Sequence, residues 1–79
     1  MYQTSDFDLA VALQLTGHKI LTLGAIDKES KKYDFFFDET PKLMEDIDAY
    51  FNNEMMVDPR KVFEVIRTLK SRLYEMRRA

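Results

Sequence analysis

Seventy-nine residues without a cysteine exclude disulfides, thiolate zinc sites and cysteine nucleophiles, and they leave room for one small domain, residues 1–79. The 46% hydrophobic and 13% aromatic content is that of a folded chain, although one this short buries only about 60% of its unfolded surface. The net charge of −2 conceals an asymmetry: residues 1–59 hold 5 Lys/Arg against 12 Asp/Glu, and residues 60–79 hold 7 against 2.

The chain opens with Ser5-Asp6-Phe7-Asp8, which has the form of a capping box with Ser5 as N-cap. A first helix is predicted from there through Thr16, with Gly17 as its left-handed terminator. Leu9 to Leu15 is apolar at every position except Gln14, so this helix is expected to be covered on most of its circumference. The apolar run is too short to span a membrane and follows two aspartates, and no signal peptide is legible, which makes the cytosol the expected compartment.

From Lys19 the period changes to two. Ile20, Thr22, Gly24 and Ile26 fall on one face of a predicted strand, and Leu21, Leu23 and Ala25 on the other. The polar run 27–32 reads as a hairpin loop, and Tyr33 to Phe37 as the return strand. Tyr33, Phe35 and Phe37 share one face of that strand, which leaves Phe36 on the other between Asp34 and Asp38.

Thr40-Pro41 starts a second helix, with Thr40 as N-cap and Pro41 in the first turn. Leu43, Met44, Ile47, Tyr50 and Phe51 form its apolar stripe, Glu45, Asp46 and Asp48 read as its solvated face, and Asn52-Asn53 ends it. Asp58-Pro59 repeats the start signal, with Val57 and Val62 placed for a hydrophobic staple. The last helix runs to about Met76, its seam formed by Val62, Ile66, Leu69, Leu73 and Met76 and flanked by Phe63, Val65 and Tyr74. The predicted class is α+β in the order α-β-β-α-α, a two-stranded antiparallel hairpin packed against three helices.

Little in this pattern points to catalysis. Glu29-Ser30-Lys31 matches a fragment of metal-dependent nucleases but falls in the polar loop, without a second carboxylate fixed on a rigid strand. His18, the single histidine, is placed to cap the first helix and has no nucleophile beside it in sequence. No glycine-rich phosphate loop exists, and no catalytic residue, metal ligand, cofactor or small-molecule substrate is assigned.

Two binding surfaces are. Phe36, with Leu21 and Leu23 on the neighbouring strand, is the candidate partner-binding patch: either a helix of the same chain wraps over it or a second copy covers it. On the last helix, Arg60, Arg67 and Arg78 lie within about 20° of one another, with Lys70 on a flank, as candidate phosphate contacts. These cations can equally pair with the acidic face of the second helix.

The residues Tyr2-Gln3-Thr4-Ser5-Asp6, Leu9-Ala10, Leu13, Gly17-His18, Phe35-Phe36-Phe37-Asp38, Val57-Asp58-Pro59 and the run from Ile66 to Tyr74 resemble a short domain family of unknown function from bacterial and phage genomes. The resemblance spans Tyr2 to Tyr74 and implies a whole small domain, while bringing no activity, cofactor or partner. Phe36 departs from its pattern, a smaller aliphatic residue being more usual there. The functional expectation is a self-associating protein-interaction module without enzymatic activity, a homodimer or protein partner being the contact. The alternative is a nucleic-acid-associated accessory factor using the basic last helix.

Overall fold

The computed structural model describes residues 1–27 and 32–78, the side chains of 25–27, 77 and 78 excepted. The elements follow in the order β1 (Tyr2–Thr4), α1 (Phe7–Leu15), β2 (Ile20–Asp27), β3 (Lys32–Phe37), α2 (Pro41–Phe51) and α3 (Pro59–Arg78). The class is α+β as expected, but the sheet has three antiparallel strands in the order β1-β3-β2, not two. The added strand is β1, whose Tyr2, Gln3 and Thr4 pair with Phe37, Phe36 and Phe35. Three residues are too few for alternation to announce a strand; the template for β1 lies more than thirty residues away in β3.

β1 also moves the start of α1. The N-cap is Asp6 and not Ser5: its Oδ1 accepts from the Leu9 N–H at 3.1 Å. The Asp6 N–H is itself taken by the Thr4 hydroxyl at 3.1 Å, so strand end and helix start are tied together. At the other end the predicted terminator holds. Gly17 has φ 100°, its N–H reaches the Gln14 carbonyl at 3.1 Å, and the His18 N–H reaches that of Leu13 at 3.0 Å. This pair of bonds is the Schellman arrangement. α2 ends in the same way, with Asn53 at φ 58° and the Glu54 N–H bonded to the Ala49 carbonyl at 2.8 Å.

β2 does not keep its predicted faces. Ile20 pairs with Phe37 and Thr22 with Phe36, so Leu21 is the extra residue of a β-bulge. The bulge puts Ile20 and Leu23 together on the core side, whereas simple alternation separates them. A second irregularity falls between Ala25 and Asp27.

All three helices pack on the face of β3 that carries Tyr33, Phe35 and Phe37. Five consecutive α1 residues, Leu9 to Leu13, are buried, which places that helix at the centre of the molecule, in contact with both α2 and α3. Phe7 meets Phe35 edge to face, with ring centroids 6.3 Å apart. α2 contributes Leu43 and Ile47, and α3 contributes Leu69 with Val65, Ile66, Leu73 and Met76 around it. Met44 and Phe51, expected on the apolar stripe of α2, are exposed. No helix among the described residues is long and apolar enough to cross a membrane.

Candidate interaction surfaces

A polar cluster locks α1 to α2. Asp46, expected on the solvated face of α2, is instead buried, with its Oδ2 at 2.7 Å from His18 Nε2 and its Oδ1 accepting from Lys42 Nζ at 3.0 Å. Because a carboxylate only accepts, His18 Nε2 carries the proton. Burial pushes the Asp46 carboxyl up, but the hydrogen bonds and charges of His18 and Lys42 outweigh it and hold the group below its ordinary value. His18 therefore caps α1 with its backbone N–H only; its ring is a cross-tie between elements. Both contacts of Asp46 come from within the fold, and the cluster reads as structural. Among the described residues no three His, Asp or Glu side chains converge on a point that suits a metal ion. Glu29, Ser30 and Lys31 lie outside the described residues.

The outer face of the sheet is less apolar than its sequence suggested. Phe36 is half-buried and sits opposite Gln3 on β1 and Thr22 on β2. A Cβ on Gly24 would come within 3.3 Å of the Phe36 ring, so the missing side chain makes the floor on which that ring lies. Gln3 Nε2 donates to Asp34 Oδ2 at 2.6 Å beside it. Of the two strand residues expected to join Phe36, Leu23 is on the core side because of the bulge, and Leu21 is exposed at the bulge itself. Phe36 has no place in the core cluster, and its cover comes from the sheet it lies on.

α3 presents a long outer face. Arg60, Arg67 and Lys70 are exposed on it, as are the rings of Phe63 and Tyr74; Arg78 closes the helix. Phe63, Arg67, Lys70 and Tyr74 follow one another at spacings of 4, 3 and 4, which keeps them in one stripe. Among the described side chains, none of Arg60, Arg67 and Lys70 pairs with the acids of α2. Among the described residues the ion pairs join His18 and Lys42 to Asp46, and none involves α3.

One surface escaped the sequence reading altogether. An open cleft of about 380 Å³ lies between α1, the end of α2 and the start of α3. Val11, Ala12, Leu15, Val62 and Ile66 line it with Met55 and Val57, and Asp8, Tyr50 and Asn53 supply the polar atoms. Burial, with the charges of Asp6 and Asp8, raises the Tyr50 phenol, which stays protonated and able to donate there. Of the lining, Val57 is exposed, and so are Phe51 and Met56, which adjoin the lining residues Tyr50, Met55 and Val57 in sequence, Met56 at 94%. The signal available in the sequence was Met55-Met56-Val57, three apolar residues in a connection that a solvated loop has no reason to carry.

A second recess, lined by Gln14, His18, Lys19, Val65 and Arg72, holds a buried Gln14 amide oxygen with no hydrogen-bond partner among the described residues.

No curated protein and no solved structure matches the chain. The family model of a domain of unknown function, DUF5659, matches residues 1–75, nearly the whole chain, and the protein belongs to that family.

Proposed function

We propose that the chain is a non-enzymatic protein-interaction module of the cytosol whose contact surface is the apolar shoulder formed by the end of α2, residues 52–58 and the start of α3. The observation that carries this reading is an open apolar cleft lined by Met55 and the exposed Val57, with the exposed Phe51 and Met56 adjoining its lining residues in sequence. Exposed apolar groups gathered beside a concave apolar surface mark association sites, whereas single ones scattered over a surface do not.

The partner proposed is a second copy. Glu54 and Asp58 lie on the shoulder beside Arg60 and Lys61, all four exposed. A two-fold pair that sets shoulder against shoulder brings the acids of one copy toward the bases of the other. The sheet edges favour this surface over strand addition, since β1 is three residues long and β2 is bulged, two features that discourage edge pairing.

Sedimentation of the wild type and of a Met56→Asp, Val57→Asp double variant tests the proposal. The expected result is a dimer at micromolar concentration in the wild type and a folded monomer in the variant, with circular dichroism unchanged. A wild-type chain that stays monomeric at hundreds of micromolar overturns self-association.

A further inference from the structure

We propose that the outer face of α3 is a binding site for single-stranded nucleic acid, in which exposed aromatic rings stack on bases and the cations between them hold phosphates. Phe63 and Tyr74 are 61% and 58% exposed. They stand eleven residues apart on one stripe, about 16 Å along the helix axis. Arg67 and Lys70, both exposed, occupy the interval, and Arg60 precedes it by one turn. Beside Tyr74 the surface dips into a recess of about 170 Å³ bounded by Phe7, Lys70 and Leu73. Phe7 and Leu73 give it apolar walls on which a base can lie, and Lys70 contributes a cation to the same recess.

The chemistry of the stripe discriminates among polyanions. A duplex keeps its bases stacked inside and presents phosphate alone, which gives the two exposed ring faces no base to stack on. A single strand offers both groups, a π-face and a charged phosphate per nucleotide, which suits a stripe in which two rings bracket a pair of cations. An apolar protein surface fits poorly, because closing over the stripe would strip water from Arg67 and Lys70 without pairing them. The acidic remainder of the chain, 12 Asp/Glu against 5 Lys/Arg in residues 1–59, repels phosphate and confines the contact to this helix.

Fluorescence anisotropy with a labelled thymidine oligonucleotide of about 16 nucleotides tests the site, with a duplex of equal length and a polyglutamate peptide as competitors. The single strand is expected to bind at low salt and to be displaced poorly by either competitor. Arg67→Gln with Lys70→Gln should make the slope of log affinity on log salt shallower by about 1.4, the share of two phosphates on a single strand. Phe63→Leu and Tyr74→Leu should each weaken binding about five- to 150-fold while leaving the slope unchanged. All four side chains are exposed, so circular dichroism should remain that of the wild type. Met44→Gln, at an exposed position of α2 outside both proposed surfaces, should bind as the wild type does. No binding at about 50 mM salt overturns the proposal. So does competition by duplex at equal affinity with ring variants that bind normally, which would reduce the stripe to a phosphate track. Equal displacement by polyglutamate would instead assign the face to an acidic protein.

Discussion

Two side chains of the interior test how polar groups are accommodated in so small a core. Asp46 is buried between His18 and Lys42 and its carboxyl is held below its ordinary value. A carboxylate of lowered pKa stabilises the fold above its unfolded value of about 3.9, and that contribution is lost as pH falls through the folded value. Asp46→Asn should therefore cost about 1–3 kcal/mol in urea denaturation at neutral pH. As pH falls below the folded value of the Asp46 carboxyl, the wild type and the variant should converge. A gap that persists unchanged in acid would mean that shape, not charge, makes Asp46 necessary. Gln14 is the opposite case, a buried amide oxygen with no partner among the described residues. Gln14→Met should raise stability by about 1 kcal/mol, the return on removing an unsatisfied group at similar volume. A loss instead would show that a bound water or ligand satisfies the oxygen.

At the scale of elements, the helix ends were the most legible part of the chain, because their chemistry is local. Thr40 caps α2 through the Leu43 N–H at 3.1 Å, as the Thr-Pro pair announces, and Gly17 ends α1 in the left-handed region. Nothing lies within 4 Å of a Cβ built on Gly17, so substitution there strains the backbone without crowding a neighbour. Gly17→Ala should cost about 1–2 kcal/mol, read from the shift in denaturation midpoint. A neutral result would mean that the chain can leave the Schellman geometry without loosening α1 from β2. The cap of α1 was misplaced by one residue for a non-local reason: β1 pairing fixes Thr4, and Thr4 then takes the Asp6 N–H.

For the whole molecule the question is which face other molecules meet. Phe36 drew attention in the sequence because a third consecutive ring exceeds what one covered face requires. The fold gives it a modest answer, a half-buried ring resting on the gap at Gly24. Phe36→Ala should cost about 1–2 kcal/mol for the apolar area it uncovers and leave the sedimentation coefficient unchanged. A fall in mass without unfolding would move the interface from the α2–α3 shoulder to the sheet. Leu21 and Leu23 cannot reinforce Phe36 as a patch, because one bulge turns Leu23 into the core and leaves Leu21 at the bend.

What the sequence by itself determined was whatever depends on near neighbours: the class, three helices with most of their limits, the hairpin pair β2 and β3, the buried character of α1 and the apolar seam of α3. Periodicity and capping act within a few residues, so they can be read along the chain. Only the tertiary structure decided β1, the bulge at Leu21, the burial of Asp46 and the apolar cleft beneath Met55 and Val57. Each of these depends on a partner far away in sequence. A three-residue strand exists because β3 offers it bonds, and an aspartate leaves solvent because a histidine 28 positions earlier waits for it. A loop methionine, in turn, becomes part of a surface only when α1 and α3 bring its neighbours beside it.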